Sequence, residues 1–332
     1  MASAIDITHC TELLRVTRNS VVESRHYGAA VVLDASGEIL EALGDPQALI
    51  FPRSALKPFQ AIGSLRAGAV LSSAQLALAC ASHLGTARHQ QLAHSVLASV
   101  NLDEDHLQCP ASWPGDSAAR TEMIIGGHSQ NKLAFNCSGK HAAFLAAAVS
   151  RGEPVETYLN PEHPVQQCAL EAIEEFCGPV TFVGVDGCGA PAPQISLHSL
   201  AKGFKNLSTS SDQHVRAVAH AMREHPWAVR GPGSPNTIVN ESTGIIAKLG
   251  AEGVLGMSTD QGVSVVVKML DGSSRGMDML ALGLLVKHGA LTPQKLKELA
   301  SRLAPASTTE GSRAAQIHDV GQGFVDGRRK RI

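Results

Sequence analysis

Residues 27–44, YGAAVVLDASGEILEALG, read as two strands joined at Asp34-Ala35-Ser36-Gly37. Strands joined by so short a turn pair antiparallel, so this hairpin already points away from a regular parallel sheet. GIIAKLGAEGVLG and VSVVVKMLDG supply further strands late in the chain. Helices are expected over FPRSALK and the residues after it, TARHQQLAHSVLASV, FNCSGKHAAFLAAAVSRG, HPVQQCALEAIEEFCG (ending at Gly178), 212–226 and DMLALGLLVKHG. The apolar QLALACASHLG reads as strand-like, PVTFVGVDGCGAP as a buried strand ending at Asp186-Gly187, and 101–135 and 230–237 as loops. Strands bracket helices without a βαβ rhythm. The expectation is an α/β (α+β) sandwich with a mixed or mainly antiparallel sheet flanked by helices. No repeat and no change of composition marks a linker, so residues 1–332 are taken as one unit, with two lobes allowed by the length.

Composition narrows the partners. With 332 residues, 44% hydrophobic and 17% charged, and a formal net charge of −2, neither nucleic acid nor an anionic membrane is the expected partner. The closing GRRKRI is basic but short, and reads as a frayed end. MASAIDITHCTELL lacks a basic stretch followed by an apolar one, so no signal peptide is expected, and no apolar run reaches the ~18 residues of a membrane span. Seven cysteines without a short repeated spacing favour reduced thiols and a cytoplasmic protein.

Reactive side chains gather where elements end, in SALK, CASH, NCSGKH, VDGCG and AKLG. Ser54 and Lys57 stand three apart just before Pro58, so on a helical turn they share a face. Ser54 is then either a helix cap or a nucleophile whose base is Lys57. Phe59, Ile62, Leu65 and Ala69 continue at helical spacing as a buried face. Ser82 and His83 are either polar residues at an element's end or part of a proton relay. Cys137-Ser138-Gly139-Lys140-His141 opens a helix, where free N–H groups attract a carboxylate, and it lacks the glycine a phosphate loop needs at 134. Asp186 is either a plain turn residue or the holder of a substrate amine. Cys137, His141 and Cys188 are soft donors, but their spacing is not a zinc signature.

Taken together, RSALKP, CASH, NCSGKH, DGC followed by a proline, and AKLGA resemble, in order over about residues 20–270, the asparaginase family typified by the thermolabile Rhizobium etli enzyme. The resemblance implies a fold like serine β-lactamases and penicillin-binding proteins, and hydrolysis of L-asparagine to L-aspartate and ammonia. It implies two Ser-Lys pairs, mapping to Ser54 with Lys57 and Ser82 with Lys248. It also implies a zinc ion, structural or modulatory, on Cys137, Cys188 and Lys140, with no organic cofactor. Asp186 and His141 correspond to positions lining the substrate pocket. There Asp186 is expected to take the α-ammonium, and Arg53, Lys140 or His141 the α-carboxylate. A homodimer is expected as well. Asn236 stands where a family member carries a cysteine, and the tail from about 290 to 332 offers little to match. The alternatives are a non-catalytic amino-acid sensor and a β-lactamase or D-alanyl-peptidase-like amidase, the latter weakened by the absence of S-D-N and K-T-G.

Overall fold

A computed structural model describes residues 4–18, 21–303 and 316–319. The chain opens with β1 (Thr11–Arg18), β2 (Val21–Leu33), β3 (Ile39–Leu43) and β4 (Leu49–Ile50). A short 3-10 turn, Arg53–Leu56, leads into α1 (Lys57–Arg66), followed by α2 (Ser73–Ala79), α3 (Ala87–Ala98), α4 (Ser117–Ile125), α5 (Ser138–Arg151) and α6 (Pro164–Phe176). Then come β5 (Phe182–Val185), β6 (Pro191–Ser196), α7 (Leu197–Thr209), α8 (Gln213–Glu224), α9 (Pro226–Val229) and α10 (Pro235–Thr243). The chain closes with β7 (Ile246–Gly250), β8 (Val254–Ser258), β9 (Ser264–Met269), α11 (Met277–Lys287), α12 (Pro293–Leu303) and β10 (Gln316–Asp319).

The main sheet runs β10-β1-β2-β9-β8-β7, with β3 also on β2, and a small sheet runs β4-β6-β5. Every ladder among these strands is antiparallel. The expected architecture, a sheet of this kind flanked by helices, is therefore the one found. Along β2, Ala29, Val31 and Leu33 face one core while Ala30 and Val32 face another. The first core is closed by Phe59, Leu200, Phe204 and Val218 from α1, α7 and α8, the second by Val239, Leu280, Leu284 and Leu299 from α10, α11 and α12. Because helices cover both faces, β9 is apolar nearly throughout rather than alternating. A third core joins Val96, Phe144, Leu145, Tyr158 and Val165 in the helical half.

Several expectations change. LALAC is not strand-like but lies in α2, whose start is fixed by a capping box between Ser72 and Gln75. A short apolar run fits helix or strand equally, and here the cap decides. FVGV is a strand but not a buried one: it is an outer strand of the small sheet, with Phe182 57% and Val185 79% exposed. The 101–135 loop contains α4, capped by Asp116, which accepts from Ala119 N. Residues 235–237 are not loop, because Pro235 opens α10 at a position where its missing N–H costs nothing. In the tail, α12 packs on α11 and α10, while 304–315 and 320–332, including GRRKRI, lie outside the described residues.

Asp278, the second residue of α11, has a buried Oδ1 with no hydrogen-bond partner, and burial pushes its pKa up to about 6. Between its ordinary 3.8 and about 6 the native carboxyl keeps a proton that the unfolded chain has lost, so stability falls as pH rises through that window. Asp278→Asn is expected to stabilise the protein at neutral pH by about 1–3 kcal/mol. The gain should vanish below pH 3.8 in denaturant titrations across pH.

Candidate active site

Ser54 sits in the 3-10 turn that joins β4 to α1. Arg53, just before it, is held at φ 54°, a left-handed conformation that costs a non-glycine residue about 1–3 kcal/mol. Ser54 does not cap the helix: the N-cap of α1 is Leu56, and no side chain bonds there. Among the described residues the half-buried Ser54 hydroxyl has no hydrogen-bond partner. Arg53 instead reaches Asp186, with Nε 2.8 Å and Nη2 2.5 Å from Oδ1. Gly187 N donates to the same oxygen at 2.7 Å, so Oδ2 takes none of these contacts. Burial works to raise the Asp186 pKa, but the Arg53 hydrogen bonds and the charges of Lys140 and Arg53 hold it below the usual range.

The segment after α2 is fixed on both sides by backbone bonds: Ser82 N donates to Val229 O, His83 N to Asn136 O and Leu84 N to Arg230 O. Ser82 Oγ lies 3.2 Å from Lys57 Nζ and 3.0 Å from Lys248 Nζ. Lys57 also donates to Ala81 O and lies 3.1 Å from Cys137 Sγ, while Lys248 donates to Leu249 O at 2.7 Å. Both lysines are only 1% exposed. Burial, then the positive Lys57 and Arg230, push the Lys248 pKa well below its ordinary 10.5, the direction that favours its neutral amine. Its strand is brought close by Gly250: a Cβ there would stand 2.3 Å from Pro52 O, at the start of the Ser54 turn.

The third group opens α5. Cys137 precedes the helix, and Lys140 Nζ lies 3.2 Å from Cys188 Sγ. The Cys188 thiol donates to Cys137; that hydrogen bond, helped by Lys57 and Lys140 against burial, holds the Cys137 pKa well down and pushes Cys188 up. Burial works against charge on Lys140, but Cys188, Cys137 and Asp186 outweigh it and raise the amine's pKa. Helix α5 can enter here because residue 139 is glycine: a Cβ would stand 2.4 Å from Leu78 O of α2.

The histidines divide. Gly85 N donates to His83 Nδ1 at 3.1 Å, so Nε2 carries the proton and donates to Ser138 Oγ at 2.9 Å. With its ring stacked on His89, His83 ties three segments together. His141 is fully buried and paired with Tyr158.

Of the sequence-predicted residues, the structure brings Lys57, Ser82 and Lys248 together. It links them through Cys137 to Cys188 and Lys140, and it pairs Arg53 with Asp186. It does not bring Lys57 to Ser54 as a hydrogen bond. Arg53 meets Asp186 through Nε and Nη2, and Nη1 takes no part in that pair. Sequence reasoning missed Arg230, whose Nη1 donates to Ser82 O at 2.8 Å, and Tyr158. Neither stands in a spacing that could have drawn notice. Among the described residues no group of three His, Cys, Asp or Glu side chains converges as a metal site; the trio that does meet includes a lysine.

A helix-walled antiparallel sheet with serine and lysine side chains meeting beside its outer strand is the setting of an amidohydrolase. The family model for L-asparaginase II matches residues 14–318, and the chain belongs to that family. This makes it an asparaginase-type amidase acting on a small molecule, not the non-catalytic sensor considered from the sequence. Among solved structures it is similar to a β-lactamase from Mycobacterium bovis (14% identity, 80% of this chain and 95% of that chain, TM-score 0.43). It is also similar to a Bacillus glutaminase (13%, 79% and 89%, TM-score 0.34) and to the protein Mglu (14%, 80% and 61%, TM-score 0.44). The chain thus spans about three-fifths of the Mglu chain. Likenesses this distant carry no part of the assignment. None of the curated proteins compared with it matches.

Proposed function

We propose that the protein hydrolyses L-asparagine to L-aspartate and ammonia through an acyl-enzyme on Ser54. The supporting observation is the Lys248 amine 3.0 Å from Ser82, which in turn is 3.2 Å from Lys57, the residue three after Ser54, with burial driving the Lys248 pKa down toward the base form. Lys57 passes a proton across Ser82 to Lys248 and takes the Ser54 proton in its place as Oγ attacks the side-chain amide carbon. Collapse of the tetrahedral intermediate breaks the C–N bond, and the proton returns to the departing ammonia. Water then hydrolyses the ester by the same route in reverse. Asp186 Oδ2 takes the α-ammonium, and Arg53, Lys140 or His141 the α-carboxylate. Asp186→Ala is expected to raise KM for asparagine about 10–100-fold with a smaller change in kcat. Steady-state kinetics would sink this role if kcat alone fell.

A second reading makes Ser82 the nucleophile, favoured by both lysine amines standing on its hydroxyl. Ser82 is buried and held between those amines, whereas Ser54 is more exposed and free, so Ser54 is preferred. Mass-spectrometric mapping of an acid-quenched acyl adduct separates the two: the label falls on one serine or the other.

The converging thiols of Cys137 and Cys188 with the Lys140 amine are a donor set that fits zinc, two soft sulfurs and a nitrogen in a buried place. We propose that these three residues hold it. A bound zinc would supply fixed positive charge there and keep both thiols deprotonated. Treatment with a chelator should remove about one zinc per chain by elemental analysis and leave partial activity. Complete, zinc-reversible loss would make the ion catalytic. We also propose a cytoplasmic homodimer. All seven cysteines are free, as a reducing compartment requires, and sedimentation should give twice the 34.7 kDa chain mass. No helix among the described residues is long and apolar enough to cross a membrane.

A further inference from the structure

The Tyr158 hydroxyl is fully buried and accepts a hydrogen bond from Gln108 N at 2.9 Å. Its other partner is His141 Nδ1, at 2.7 Å. A phenol has one proton to give. Were Nδ1 the donor, that proton would be left without an acceptor in a buried place, so the phenol donates and Nδ1 accepts. An Nδ1 that accepts carries no proton, so the ring is the neutral form with its single proton on Nε2. That nitrogen is buried and has no hydrogen-bond partner among the described residues. In this form it cannot ligate a metal, but it can donate. His141 stands in the first turn of α5 beside Lys140, at the end of the helix whose free N–H groups favour an anion.

We propose that Tyr158 is a positioning residue: it fixes His141 as the Nε2–H tautomer and so reserves one buried N–H for a carboxylate oxygen of the bound amino acid. The recipient rests on the asparaginase reading above; the tautomer rests only on the hydrogen-bond geometry. Neither Tyr158 nor Gln108 need touch the ligand for this. Tyr158→Phe keeps the ring and its packing but removes the donor, so Nδ1 can take the proton and Nε2 loses it.

The test is a long-range proton–nitrogen NMR spectrum of the full chain labelled with 15N-histidine, free and with L-aspartate, the hydrolysis product. The His141 signals are those lost in His141→Gln. Wild type should show a bare Nδ1 and a protonated Nε2 whose proton shifts when L-aspartate binds. Tyr158→Phe should move the proton toward Nδ1 and weaken L-aspartate binding about 10-fold. A wild-type ring protonated on Nδ1 overturns the proposal whether or not the variant folds. An unchanged tautomer in a folded Tyr158→Phe overturns it too, since a merely structural tyrosine would leave the ring as it was. A changed tautomer with unchanged affinity overturns the assignment of the recipient. Absence of L-aspartate binding by wild type overturns the asparaginase reading and the recipient with it, while the tautomer still decides the role of Tyr158.

Discussion

Ser54→Ala is expected to lower kcat for ammonia release from asparagine by about 10⁴-fold or more, the scale on which a nucleophile's loss is felt. The same substitution should leave the melting temperature nearly unchanged. Among the described residues the hydroxyl has no partner and caps no helix, so its removal breaks no contact seen in the fold. L-aspartate should still bind, because Asp186, Lys140 and His141 are untouched. An ammonia assay beside a thermal melt checks both halves. Activity retained within about 10-fold would move the covalent step to Ser82, whose own substitution would then carry the larger effect.

Lys248→Met has the second large effect, and its two readouts are expected to move in opposite directions. Without the neutral amine next to Ser82 the proton has nowhere to go, and kcat should fall about 10²–10⁴-fold. Stability at neutral pH should rise or hold. The native Lys248 is a base whose pKa is pushed below 10.5, so the unfolded chain binds the proton that the native state refuses. Stability from this residue is therefore lacking at neutral pH and recovered only as pH climbs toward 10.5. Methionine fills similar volume without that penalty, and the pH slope due to Lys248 should disappear. Wild-type activity should also fall on acidification as Lys248 takes up a proton. A variant that loses stability and activity together would make Lys248 a structural residue.

Much of this arrangement could be read from the sequence, for different reasons in each part. The hairpin at 34–37 was legible because its turn residues and the strands on either side agree. The i, i+3 spacing of Ser54 and Lys57 correctly put them at a helix start. It could not show that the lysine's long chain ends on Ala81 and Ser82. That Lys248 meets Ser82 across 166 residues is a property of how β7 docks on the Ser54 turn, and no local pattern holds it. FVGV looked buried because its residues are apolar; its place at the edge of a small sheet exposes them. LALAC misled in the opposite sense, since only the cap at Ser72 separates a short buried helix from a strand. The meeting of Cys137 and Cys188 with Lys140 escapes any reading based on Cys and His spacing, as its third member is a lysine.

Gly139 gives the site its gauge. Where it meets Leu78 O, helix touches helix backbone to backbone. α2 runs on into Ser82 at its end, and α5 carries Cys137 and Lys140 at its start. The spacing between the Ser82 segment and the start of α5 is thus set by the missing methyl of one residue, and not by side chains that could repack. A single added carbon at 139 would pry the two halves of the chemistry apart while leaving every reactive side chain in place.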